Sequence, residues 1–231
     1  MIVLENIHKK FSEKTVLFER VSLTINPKTI NIVTGLSGSG KTTLLKLIRG
    51  EIIPDAGTVK IAGKDVSRLR SASKKRLFRS VSMVYQEGKL IDERTVIENI
   101  ALPLRINGIH GAKLRERVYE LLEKFDLEEK AFVSCGVLSG GERRYVSIAR
   151  AIAFSPSVLL LDEPLNGLDS KSRGKLTDFL CNINETEDLT VLWATHDLSE
   201  LSKYPDPYIY EIKDKKVKLS RNEIDTTDCW L

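Results

Sequence analysis

Cysteine is scarce in this chain: 3 among 231 residues. Cys135, Cys181 and Cys229 lie too far apart for a Cys-x-x-Cys zinc or redox pattern, and they read as reduced thiols of a cytosolic protein. Disulfide staples are not needed at this length, because such a chain buries roughly 70% of the surface its unfolded form exposes. Long apolar runs are missing too. Strings such as Val158-Leu159-Leu160-Leu161 fall far below the roughly 20 residues that cross a bilayer. Glu5 interrupts the amino-terminal stretch before a signal-peptide core can form. Action at a membrane would therefore require a second polypeptide to supply the spans. Nor is there a large excess of one charge. The 36 Lys and Arg against 32 Asp and Glu leave +4, which demands neither nucleic acid nor a lipid surface. With 42% hydrophobic and 29% charged residues and no repeat, a disordered or fibrous chain is excluded.

What is present is a series of short apolar strings, each ending in small or polar residues. Ile30–Val33 runs into Gly35, Val81–Tyr85 into Gln86, Val158–Leu161 into Asp162 and Glu163, and Val191–Ala194 into Thr195 and His196. Continuous apolar strands between helical stretches predict a parallel sheet covered on both faces, whose ligands bind beyond the carboxyl ends. The four polar endings are thus expected on one rim. Residues 1–26 and Gly57–Ile61 read as further β-structure, the latter before a turn at Gly63. From about Glu87 to Phe154 the pattern turns helical, and Leu114, Val118, Leu121 and Leu122 form an apolar stripe in Ala112–Phe125. The expected organisation is one α/β domain: a core from 1–86 and 155–231, with a helical subdomain at 87–154 inserted into it.

Gly35-Leu36-Ser37-Gly38-Ser39-Gly40-Lys41-Thr42 satisfies the P-loop pattern G-x-x-x-x-G-K-[ST], between a strand and a helix candidate at Thr42–Ile48. Glycines let successive backbone N–H groups wrap an anion, and the helix start adds positive potential. Lys41 can reach β- and γ-phosphates, and the Thr42 hydroxyl can ligate Mg²⁺. Asp162, ending a buried strand, suits a Walker-B acid that holds Mg²⁺. Glu163, one residue on, is placed to deprotonate an attacking water.

Leu138-Ser139-Gly140-Gly141-Glu142 opens a helical run through Ala153 and resembles the signature of ATP-binding-cassette (ABC) ATPases. The resemblance covers nearly the whole chain, with the motifs in the family's order. It implies a P-loop NTPase of RecA-like type: a mixed sheet core, an amino-terminal antiparallel β subdomain and an inserted α-helical subdomain. By resemblance, Phe11 stacks on adenine beside Val16, and Gly35–Thr43, Thr43 included, is Walker A. Gln86 is the Q-loop glutamine that reaches Mg²⁺ and the reacting phosphate. Asn166–Asp169 is the D-loop, with Asp169 at the nucleotide interface, and His196 is the switch histidine. The Ser139 hydroxyl and the glycine N–H groups offer a second anion site. In the family it faces the P-loop of another subunit, so an ATP-dependent homodimer with two composite sites is expected.

Three departures stand out. Lys28-Thr29 occupies a turn where Gly-Glu is common, Phe11 replaces Tyr, and Arg143-Arg144-Tyr145 stands where Gln-Gln-Arg is frequent. Within the family, Glu93–Val96 and Ala194–Asp197 resemble FtsE-type ATPases, which act with an FtsX membrane protein in bacterial cell division. Lipoprotein-releasing and macrolide-export ATPases (LolD- and MacB-like) resemble it almost as well. These resemblances imply a peripheral ATPase on the cytoplasmic face of the inner membrane, bound to an integral membrane subunit. Arg68, Arg70, Lys74, Lys75, Arg76 and Arg79 form a basic stretch that reads as a solvated helix face, with anionic lipid as the alternative. No nucleic-acid partner is expected, since no zinc module, coiled coil or second cassette is present. A DNA- or RNA-acting ABC ATPase and a nucleotide-gated scaffold without turnover remain as lesser alternatives.

Overall fold

The computed structural model describes residues 1–12, 15–198 and 207–220, so Cys229 lies outside the described residues. β1 (Ile2–Ser12), β2 (Thr15–Ile25), β4 (Ala56–Ile61) and β5 (Lys64–Asp65) form an antiparallel sheet in the order β2-β1-β4-β5. β3 (Ile30–Thr34), β6 (Val81–Val84), β7 (Val158–Asp162), β8 (Thr190–Ala194), β9 (Tyr208–Lys213) and β10 (Lys216–Leu219) form a second, six-stranded sheet. Its order is β10-β9-β3-β8-β7-β6, parallel throughout except for the β9–β10 hairpin. The mixed sheet and the amino-terminal antiparallel sheet expected from the sequence are both there.

β6, β7 and β8 are buried at every position, as strands covered on both faces must be. Alternation divides their side chains between two cores. Val84, Leu159, Leu161 and Trp193 join apolar residues of α3 (Val96–Ile106), α4 (Gly111–Lys124), α5 (Gly140–Ile152) and α6 (Ser170–Thr186). Met83, Leu160, Leu192 and Val33 face the opposite way, onto α1 (Lys41–Arg49) and the antiparallel sheet. The stripe of Leu114, Val118, Leu121 and Leu122 is the buried face of α4, which starts and ends one residue earlier than the spacing predicts.

α1 extends one residue beyond its predicted span at each end. It stops at Gly50, whose φ of 74° lets its N–H turn back to the Leu47 and Lys46 carbonyls. The basic stretch straddles the start of α2 (Ser71–Ser80): Arg68 and Arg70 precede the helix, Lys75, Arg76 and Arg79 are exposed on it, and Lys74 is half-buried. Lys28 takes a left-handed φ of 62° in the turn before β3, a conformation glycine would adopt without strain. That departure is confined to a loop, where the Lys28 N–H donates to the Thr190 hydroxyl at 2.9 Å.

The parallel register decides where the site is. Val33 lies beside Ala194, Ala194 beside Asp162, and Leu161 beside Val84. Gly35, Thr195–His196, Glu163 and Tyr85–Gln86 therefore all leave the sheet at its carboxyl edge. The expected rim is formed.

Candidate nucleotide site

A cavity of about 1200 Å³ opens at that rim, lined by Gly35, Ser37, Gly38, Ser39, Lys41, Gln86, Glu163 and His196, with Val16 and Leu17 from β2. The loop under it can exist only with glycine at its tight points. Gly40 has a φ of 110°, and a Cβ there would stand 2.8 Å from the Phe18 ring; one on Gly35 would stand 2.8 Å from the Ile212 carbonyl. Gly40 is also the N-cap of α1, with no side-chain cap and no acid in the first turn. The first-turn N–H groups and the helix dipole are thereby left for an anion. The Ser39 hydroxyl is buried without a hydrogen-bond partner in the protein, as a phosphate-binding loop permits.

Behind the loop lies a line of charged groups. The Lys41 ammonium donates to the Gly35 carbonyl at 2.8 Å and stands 3.5 Å from Glu163 Oε1. Glu163 Oε2 is 2.9 Å from His196 Nδ1, so one carboxylate bridges the lysine and the histidine. Glu163 itself has a φ of 47°, strained for a β-carbon-bearing residue, and its N–H is held by the Ala194 carbonyl at 2.9 Å. That kink at the end of β7 turns the side chain from the sheet into the cavity. The Thr42 hydroxyl donates to both carboxylate oxygens of Asp162, at 3.0 and 2.8 Å. Burial pushes the Asp162 carboxyl above its ordinary pKa; the Thr42 bond opposes the shift and the neighbouring Glu163 charge adds to it.

These residues fit a magnesium-bound triphosphate. Among the described residues there is no group of His, Cys, Asp or Glu able to cage a metal alone. Mg²⁺ does not require one, because it is bound through one or two protein oxygens plus substrate phosphates and water. Thr42 and Asp162 supply that hard oxygen pair, and the uncapped α1 start and Lys41 suit the phosphates.

Other sequence candidates lie apart from this cavity. Phe11 is 64% exposed on β1, next to Lys10, which pairs with Val16, but it is not among the lining residues. Thr43 lies in the first turn of α1 behind the loop. Asp169 is the N-cap of α6, accepting from the Lys171 and Ser172 N–H groups at 3.0 Å each. Ser139, Gly140 and Gly141 form the tip of α5 and do not line the nucleotide cavity. Ser139 is exposed, and its hydroxyl is engaged within its own helix start. It donates to Glu142 Oε2 at 2.8 Å and accepts from the Glu142 N–H at 3.3 Å, a reciprocal capping box.

The sequence reading missed the β9–β10 hairpin, whose Glu211–Lys215 segment lines the cavity. The one local signal was a polar Asp214-Lys215 turn between alternating strands. It also missed Arg144, which is 6% exposed and bonds the Tyr85 and Gln86 carbonyls. Tyr145 lies against Phe125, with ring centroids 6.2 Å apart, and so packs into the helical core without a charge.

Residues 18–166 match the ABC transporter family. The methionine import ATP-binding protein MetN 2 of Listeria monocytogenes is 37% identical over 206 residues, covering 88% of this chain and 61% of that protein. The chain thus spans about three fifths of the length of the methionine-import relatives it matches. The cell division ATP-binding protein FtsE of Escherichia coli is 38% identical over 203 residues, 88% of this chain and 91% of that protein. The ATP-binding cassette MJ0796, solved as a dimer in a post-hydrolysis state with ADP and Pi, matches with a TM-score of 0.86 and 31% identity. The match covers 96% of this chain and 99% of that one. Phosphate loop, fold and relatives agree: the chain belongs to the ABC transporter family as an ATP-binding cassette, an ATPase domain whose cofactors are ATP and Mg²⁺.

Proposed function

We propose that two copies of this chain close in a two-fold pair around two ATP, and that hydrolysis drives a separate integral membrane subunit from its cytoplasmic face. The observation that carries this reading is a separation. P-loop, Glu163 and His196 share one cavity, whereas the Ser139–Gly141 tip lines no part of it. Two-fold symmetry would bring each copy's tip over the other's P-loop and make two complete sites from one sequence. Among the described residues no helix is long and apolar enough to cross a membrane.

In this pair Lys41 and the loop N–H groups hold the phosphate oxygens, and Phe11 and Val16 take the adenine. Glu163 accepts a proton from the attacking water as its oxygen bonds to the γ-phosphorus and the bond to ADP breaks. His196 orients that carboxylate through its 2.9 Å bond. Thr42, Asp162 and Gln86 would hold Mg²⁺, which would supply positive charge to offset the charge that builds on the transferred phosphoryl group. Asp169 belongs to the face between the copies, and residues 87–154 act as the helical unit that carries the signature.

For the partner, Glu93–Val96 and the FtsE relative favour an FtsX-like subunit of a cell-division complex. The likeness to MetN 2 favours a second reading, an import permease. Phosphate release from MgATP tests the enzyme, with Lys41→Ala expected to abolish it. Glu163→Gln is expected to keep ATP binding and to sediment as a dimer. A Glu163→Gln protein that stays single at saturating ATP, even beside its membrane partner, overturns the pair. Co-purification from membranes, with the integral protein identified, separates the two partner readings.

A further inference from the structure

α5 does more than carry the Ser139 tip. At i, i+3, i+6 spacing its Arg144, Ser147 and Arg150 meet the backbone that follows β6. Arg144 donates from Nη1 to the Tyr85 carbonyl at 3.0 Å and from Nη2 to the Gln86 carbonyl at 2.8 Å. The Ser147 hydroxyl donates to the Gly88 carbonyl at 3.2 Å. Arg150 donates to the Gly88 and Lys89 carbonyls at 2.9 and 2.8 Å. Contact is close enough that a Cβ on Gly88 would stand 2.7 Å from Ser147 Oγ.

Arg144 is the member of this stripe that departs from the resembled pattern, in which the arginine falls one position later. One position on a helix is a rotation of about 100°. The shift turns the guanidinium to the Tyr85–Gln86 backbone and leaves Tyr145 to pack on Phe125. The buried guanidinium is matched by those two carbonyls, and Asp162 acts on it through space. Burying such a cation is tolerated only when its donors are satisfied, and neither lysine nor glutamine reproduces the two-pronged fork. Gln86 lines the nucleotide cavity and also a cleft of about 230 Å³ that it shares with Arg144, Gly140 and Asn166.

We propose that Arg144 is a positioning residue whose fork locks the Gln86 segment to α5, holding the Gln86 side chain on the rim of the nucleotide cavity. The kinetic consequence rests on the ATPase reading above; the mechanical one does not. Hydrogen exchange in nucleotide-free protein reads the lock directly. The Gly88 N–H donates to the Tyr85 carbonyl at 2.9 Å, the same carbonyl that Arg144 holds. In Arg144→Gln and Arg144→Lys that amide should exchange about tenfold faster while amides of α4 keep their rates. In turnover, Arg144→Gln should lower kcat about tenfold with KM for MgATP changed less than about twofold. The double variant with Gln86→Ala should be no slower than Gln86→Ala alone, because both changes remove one function.

An unchanged Gly88 exchange rate in Arg144→Lys overturns the proposal, as does multiplication of the two kinetic losses in the double variant. Arg144→Lys keeps the charge and serves if Arg144→Gln fails to fold. A wild-type protein without turnover would overturn the ATPase reading and leave the exchange rates to decide on the lock.

Discussion

Two glycine-led helix tips in this molecule differ in what fills their first turn. At α1 the N-cap is Gly40, with no capping side chain and no acid among the first residues. At α5 the N-cap is Ser139, closed by its own Glu142 in a capping box. The first tip pays for its openness with a strained backbone, wedged against Phe18 and Ile212, and keeps its N–H groups for a ligand. The second pairs its own Ser139 and Glu142 N–H groups, and nothing crowds Gly140: a Cβ added there would find its nearest neighbour, the Gly167 carbonyl, at 4.0 Å. A preformed anion site and a self-capped helix can thus look alike as glycine-rich strings while differing in what they have left to offer.

The comparison can be broken by one substitution made at both tips. Gly40→Ala should cost more than about 2 kcal/mol of stability and abolish MgATP binding, because backbone strain and the Phe18 contact act together. Denaturant unfolding and nucleotide titration check this, and a stable, ATP-binding Gly40→Ala would break the contrast. Ser139→Ala comes next, at about 1 kcal/mol for the lost cap. Gly140→Ala should shift stability by less than about 0.5 kcal/mol, yet still reduce ATP-dependent pairing if that tip closes on a second copy. Stability and pairing measured together would separate the two roles at α5, whereas at α1 they should fall together.

The smallest effect is a pH dependence. Hydrogen bonds from the Ser139 N–H and hydroxyl hold the Glu142 carboxyl below its ordinary pKa, with Lys130 adding to the shift. A lowered folded-state pKa contributes stability that is present above the unfolded carboxylate pKa and is lost as pH falls through the folded value. Glu142→Gln should remove that acid-side loss in thermal melts, and an identical pH profile would show that the box is not held by charge.

The parts legible in the sequence were those set by local rules. Val158–Leu161 and Val191–Ala194 announced buried strands because every position is apolar, and both are buried at every position. Gly35–Thr42 was legible as a P-loop because its glycines are needed for its own turns. At Ser139 the sequence marks a helix start, and the same Ser-x-x-Glu pattern pairs the hydroxyl with Glu142. Phe11 could be matched to a motif, but its exposure on β1 depends on what packs beside it. The β9–β10 hairpin gave no motif at all, because its cavity wall is made largely by position.

By itself the sequence determined the buried core strands, the glycine turns and the helix periods, all of which follow from steric limits and apolar spacing within a few residues. Only the tertiary structure decided which polar groups meet. Arg144 reaches Gln86 across 58 positions and Thr42 reaches Asp162 across 120. Such meetings are set by sheet order and helix packing, and a buried charge declares its partner only once the core around it has closed.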